Sequence, residues 1–143
     1  MLVNPAFRAG GTINTSRFVK IDGASGKDFQ ALQAANGTSP LVGISQDGSK
    51  RVPGVNSLTA ADTLIAAESG DPVQIYGLGD VCLLTVGTAA DITAGTLLMP
   101  DANGAAIAAT TTNYAGAIAL ENASKSTASV TNLVRVQVVA YKL

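Results

Sequence analysis

The 143-residue chain has no histidine, no tryptophan and a single cysteine. Without imidazole, zinc sites built on histidine, Ser-His-Asp triads and Cys-His pairs are excluded, and with them most hydrolase chemistries. Cys82 alone makes neither an internal disulfide nor a thiolate metal cluster. Charge is also scarce: 13% of residues are Asp, Glu, Lys or Arg, against about 25% in an average soluble domain. Nine cations against ten anions give a net charge of -1, so there is no cationic excess to release counterions from a phosphate backbone or to hold an anionic membrane. Neither nucleic acid nor membrane is expected as a partner. No apolar run approaches the roughly 18 residues of a membrane helix. Met1 to Pro5 also lack the basic start and apolar stretch of a signal peptide. The expectation is a soluble protein synthesised in the cytoplasm.

What is present is small and apolar. Hydrophobic residues make up 47% of the chain, 24 residues are Ala, and only 4% are aromatic. That is enough for one domain with a thin core. A surface of Ser, Thr, Asn, Gly and Ala over such a core fits a protein that buries further area against partners.

Residues 1–15 combine the apolar anchors Leu2, Val3 and Phe7 with Asn-Pro and Gly10-Gly11 and show no steady period. They read as an extended N-terminal arm, disordered or docked on a partner, preceding a single β-rich domain over 16–143. From Ser16 the pattern is short strand, turn, short strand, punctuated by Gly, Pro, Asn and Asp. Arg17–Ile21, Leu41–Ser45, Val73–Leu78, Val81–Val86, Thr96–Met99, Ala105–Thr110, Tyr114–Leu120 and Leu133–Tyr141 are the expected strands. Asn103-Gly104 between two apolar runs signals a hairpin, because both residues tolerate positive φ. In the last run Val134, Val136 and Val138 fall on one face and Arg135 and Gln137 on the other. Lys27–Asn36 has helical composition, but the alternation of Phe29, Ala31 and Gln33 between glycines favours a strand. One or two helical turns are plausible over Ser57–Gly70, with a capping Ser or Thr and a terminal Gly.

Pro40–Asp47 and Tyr114–Glu121 echo each other, each an apolar run with an embedded Gly leading to an acid. Glycine inside a strand admits a close backbone or a sharp bend, as barrel corners need. The fold class is therefore all-β, a small barrel or curled sandwich of about seven to nine short strands with at most one or two short helices.

Candidate chemistry is sparse. Paired carboxylates could cleave glycosides without histidine. Nearly every acid here, however, sits beside a turn former, as in Asp22-Gly23, Asp47-Gly48, Asp71-Pro72, Gly79-Asp80 and Asp101 before Asn103-Gly104. Such carboxylates bond turn N–H groups. The Asp101–Gly104 segment lacks the remaining donors of a calcium loop, and Gly77-Leu78-Gly79 precedes a strand rather than the helix of a dinucleotide site. Cys82, among Val81, Leu83 and Leu84, reads as a small buried hydrophobe. No catalytic, cofactor or metal residue is assigned, and the protein is not expected to be an enzyme. Lys50 and Arg51 form the only adjacent cations, either a solvated loop or a salt bridge to an acidic neighbour.

The order of these phrases resembles the head decoration, or capsid cement, proteins of tailed bacteriophages. The likeness is carried by Phe18-Val19-Lys20-Ile21, Leu41–Gln46, Arg51-Val52-Pro53-Gly54, Gly70–Asp80, Ile92–Leu98, Asp101–Ala106 and Ala115–Glu121 before the valine-rich terminal run. The resemblance implies a compact, β-tulip-like protein that assembles as a homotrimer on the outer capsid surface of the virion. There it would bind the major capsid protein and stabilise contacts between its subunits. Partner-binding candidates are Leu2, Val3, Phe7 and Arg8 in the arm, with Lys50 and Arg51 in the loop. The competing reading is a receptor- or glycan-binding β module of a phage tail or bacterial surface, although three Tyr and no Trp supply few sugar platforms.

Overall fold

The valine alternation and the embedded glycines resolve into strands, and Asn103-Gly104 into the turn between two of them. A computed structural model describes residues 7–45, 65–88, 90–124 and 133–143, and these form fifteen strands and no helix. The N-terminal part contributes β1 (Phe7–Ala9), β2 (Ile13–Asn14), β3 (Phe18–Ile21), β4 (Gln30–Gln33) and β5 (Leu41–Ser45). The middle contributes β6 (Ile65–Ala67), β7 (Pro72–Val73), β8 (Ile75–Tyr76), β9 (Val81–Thr85) and β10 (Asp91–Ile92). The remainder supplies β11 (Leu97–Pro100), β12 (Ala106–Ala108), β13 (Tyr114–Ala119), β14 (Ala123–Ser124) and β15 (Leu133–Lys142).

The C-terminal half builds a five-stranded antiparallel sheet in the order β12-β11-β13-β15-β9. A parallel bridge from Val86 to Ala106 brings the chain leaving β9 against β12, so the sheet curls into a nearly closed barrel. The N-terminal half builds a six-stranded sheet, β7-β1-β4-β3-β5-β8, in which only β1 and β4 run parallel. Two-stranded ribbons, β2-β6 and β10-β14, complete the molecule.

Period-2 alternation explains where the cores sit. Phe18 and Ile44 project from the six-stranded sheet into the barrel side, where they meet Leu84, Leu98, Ala117, Val134, Val136 and Val138. Val19 points the other way and joins Ala9, Ile13, Ala31, Ala66, Ala67, Val73 and Ile75 beneath the β2-β6 ribbon. The six-stranded sheet is thus covered on both faces, and neighbouring residues Phe18 and Val19 are both fully buried. Each large side chain removed from water in this way contributes roughly 1.5–3 kcal/mol.

The paired glycines of the internal echo have a steric cause. A Cβ on Gly116 would stand 2.8 Å from Phe18 Cε1, and Gly116 lies at the register shift between β13 and β15. A Cβ on Gly43 would fall on the Tyr76 carbonyl oxygen across the β5–β8 pair. Small residues at these points let the layers approach, which gives the aromatic-poor composition a packing role.

The expected strands appear among a larger number; most are shorter than expected, whereas β5 matches its expected bounds and β15 runs one residue further. Val73–Leu78 divides into β7 and β8, which lie on opposite edges of the six-stranded sheet. Lys27–Asn36 contains strand β4, as its alternation implies. The end of the segment read as helical turns is strand β6, which pairs with β2, and 57–64 lie outside the described residues. Residues 7–15 are the described part of the predicted arm. It enters the domain as β1, flanked by β4 and β7, and as β2, with Ala9 and Ile13 buried. Gly10-Gly11 breaks the period between two segments that are each integral to the second core.

Candidate functional site

Of the acids named beside turn formers, Asp22, Asp71, Asp80 and Asp101 tie turns, as their sequence context implies, and Asp47 lies outside the described residues. Asp22 Oδ1 accepts the Ala24 N–H at 3.0 Å, Asp71 Oδ2 that of Glu68 at 3.1 Å and Asp80 Oδ2 that of Gly77 at 2.9 Å. Asp101 Oδ1 accepts two, from Asn103 at 2.8 Å and Ala105 at 3.0 Å, holding the β11–β12 hairpin with Gly104 at φ 74°. Carboxylates committed to backbone donors are poor general bases. Among the described residues no three Cys, Asp or Glu side chains come together as a metal site. Cys82 is buried, and loss of solvation, with Asp80 adding to it, pushes its thiol up to about 12. It is a protonated core residue at neutral pH, not a nucleophile.

Of the partner-binding candidates, Leu2, Val3, Lys50 and Arg51 lie outside the described residues. Phe7 and Arg8 stand on β1 beside the edge strand β7, with Phe7 opposite Val73 and Arg8 opposite Pro72. Phe7 is half-buried against the second core, while Arg8 is exposed. Together they line a shallow cavity of about 380 Å³ whose other walls are Asp28, Phe29, Gly70 and Pro72.

Phe29 is the residue that sequence reasoning missed. Its backbone adopts φ 57°, a left-handed conformation uncommon for a bulky side chain, and its ring is 66% exposed. The conformation is held from both sides: the Arg8 N–H donates to the Phe29 carbonyl at 2.8 Å, and the Gln30 N–H closes a turn on Lys27 at 3.2 Å. An aromatic held outward in a strained conformation, beside a second aromatic and a proline, forms an apolar contact point flanked by Arg8 and Asp28. No pattern in the sequence marks a left-handed phenylalanine.

A second depression, about 170 Å³, is lined by Pro40, Leu41, Tyr114, Ala115, Ala140, Tyr141 and Lys142. The Lys142 ammonium lies 5.2 Å from the Tyr114 ring centre and occupies that face, leaving Tyr141 as the open ring. Ligand pockets measure about 300–1,000 Å³, so this groove is small for a glycan.

No protein-family model matches the chain, and no curated protein matches it by sequence. Its fold is similar to the crystal structure of the N base of head fiber gp8.5 in bacteriophage phi29, at a TM-score of 0.55 and 20% identity. That likeness covers 100% of this chain and 98% of the other.

Proposed function

We propose that this chain is a structural protein of a bacteriophage particle: a decoration or cement protein that binds the outer surface of the head and stabilises contacts between major capsid subunits. The observation that carries the reading is the likeness of fold to the head-fiber base, which runs over 100% of this chain and 98% of the other. The turn-bound carboxylates and the protonated Cys82 support a role in binding rather than catalysis. The weakly charged surface supports it too, since few charged groups need desolvating when flat surfaces meet.

The partners in this reading are the major capsid protein and further copies of the chain, assembled as a homotrimer. Phe7, Arg8 and Phe29 form the capsid-facing contact in this reading, and Leu2, Val3, Lys50 and Arg51, outside the described residues, remain partner-binding candidates from the sequence. Each contact is modest, and many copies shift the shell's stability by mass action.

Phe29→Gly tests the assignment, because it separates binding from folding. Glycine accepts the left-handed backbone at no steric cost, so folding stability is expected to stay level or rise by up to about 1 kcal/mol. Occupancy on purified heads is expected to fall, because the exposed ring is gone. Full occupancy by a stably folded Phe29→Gly chain would remove Phe29 from the capsid contact. Failure of the wild-type chain to bind heads at all would remove the function.

A further inference from the structure

The chain carries two Asn-Gly pairs, Asn36-Gly37 and Asn103-Gly104. Glycine has no side chain to shield its nitrogen, so in such a pair that nitrogen can reach the preceding side-chain amide and close a five-membered ring. The fold treats the two pairs in opposite ways. In the β11–β12 hairpin the Gly104 N–H donates to the Asp101 carbonyl at 3.1 Å, and Gly104 is held at φ 74°. The Asn103 N–H is bound to Asp101 Oδ1, and the Asn103 backbone carbonyl accepts from Arg17 Nη1 at 3.2 Å and Gln33 Nε2 at 2.9 Å. This pair has its nitrogen occupied and its backbone clamped on both sides.

Asn36-Gly37 lies in the bend between β4 and β5, with Asn36 exposed. The Gly37 N–H donates to no described residue. The Asn36 side-chain carbonyl accepts two bonds, from the Thr38 N–H at 3.1 Å and from the Thr38 hydroxyl at 2.6 Å. Two donors on one amide oxygen draw electron density from Cγ, and they stand where negative charge develops when that carbon is attacked. The glycine itself is required for space: a Cβ on Gly37 would stand 2.9 Å from Asn113 Cβ and 3.1 Å from Met99 Sδ.

We propose that Asn36 is a site of spontaneous deamidation, activated by Thr38, whereas Asn103 is protected. Hydroxide takes the Gly37 amide proton, the nitrogen attacks Asn36 Cγ, and the two Thr38 donors hold the resulting oxyanion on Oδ1. The bond from Cγ to the side-chain nitrogen then breaks, and that nitrogen takes a proton from water and leaves as ammonia, which regenerates hydroxide. A second water opens the succinimide at one carbonyl or the other and leaves an aspartate or an isoaspartate at position 36. Each event adds a negative charge to a chain of net charge -1. The isoaspartate form also lengthens the main chain by a methylene just before Gly37, whose carbonyl accepts the Tyr114 N–H at 2.7 Å and so ties the bend to β13. Tyr114 lines the smaller groove with Pro40 and Leu41, so ageing of the chain alters that face. The modification is independent of the capsid reading, and neither falls with the other.

The test holds the full chain in mildly alkaline buffer, folded and in urea, and follows both asparagines by peptide mass spectrometry. Dividing each folded rate by the rate in urea isolates what the fold contributes. That ratio is expected to be at least ~10-fold higher for Asn36 than for Asn103. Thr38→Val keeps the N–H and removes the hydroxyl, so it should slow Asn36 about 10-fold in the folded chain and leave the rate in urea unchanged. Thr38→Ser should restore the folded rate. Equal ratios at the two sites, or a folded Thr38→Val chain that converts as fast as the wild type, overturns the proposal. The comparison of the two sites in the wild type decides the matter should Thr38→Val fail to fold.

Discussion

Phe18 and Val19 are consecutive, both are fully buried, and they face opposite cores. Truncating each to Ala therefore tests the two-core architecture with a change of one position in the chain. For Phe18→Ala the lost transfer energy is about 2 kcal/mol. The space left by the ring adds a similar amount at ~24 cal/mol per Å³, unless its neighbours collapse. Collapse is restricted, because the ring already rests on Gly116, where a Cβ would sit within 3.0 Å of it. The expected total is about 4 kcal/mol, a large share of a typical 5–15 kcal/mol. Val19→Ala loses less volume, and about 2 kcal/mol is expected if the β2-β6 ribbon covers it. Urea unfolding followed by circular dichroism gives both values, provided that the slope of the transition is unchanged. A Phe18→Ala cost below ~1.5 kcal/mol would refute the tight barrel-side core. A near-neutral Val19→Ala would refute the second core and would return residues 7–15 to the status of an arm.

Three further outcomes are expected. Gly43→Ala drives a Cβ onto the Tyr76 carbonyl and to 2.5 Å from Ile75 Cγ2, so it should separate β5 from β8 and cost about 3 kcal/mol in the same urea assay. Asp101→Ala removes the acceptor for two backbone N–H groups and should cost about 1–2 kcal/mol, with amide exchange accelerating at Asn103 and Ala105. Burial raises the Cys82 thiol from 9.0 to about 12, so the unfolded thiol ionises first as the pH rises. Its contribution is therefore complete below about pH 9 and is lost as the pH rises towards 12. Cys82→Ala should remove that part of the alkaline loss, and native Cys82 should resist alkylation at neutral pH until urea unfolds the chain.

Elements with a strong local signature were legible in the sequence. The alternation over 134–138 predicts the buried and exposed faces of that part of β15, and Asn103-Gly104 predicts the β11–β12 hairpin. The turn carboxylates were legible for the same reason, since their acceptors serve N–H groups two to four residues away. Long-range pairing was not. The parallel match of Arg8 with Gln30 depends on the body of the sheet, and β1 is too short to show a period of its own. A sheet covered on both faces also erases alternation, as Phe18 and Val19 illustrate. The lining of the candidate cavity was legible only in part. Phe7 and Arg8 stood out as an apolar and a cationic residue near the start of the chain, whereas Phe29 read as an ordinary strand position. Its left-handed backbone sits in the local turn from Lys27 to Gln30 and is fixed by the bond from Arg8, which comes from a distant part of the chain.

The central claim, that the chain decorates a phage head, is tested most directly by imaging the intact particle and fitting the fold into its density. The expected result is many copies at symmetry-related positions on the outer surface of the head, each with the Phe7–Phe29 edge turned toward the capsid. Particles purified from cells expressing the chain that carry no such density, or that carry it only at the tail, would contradict the account.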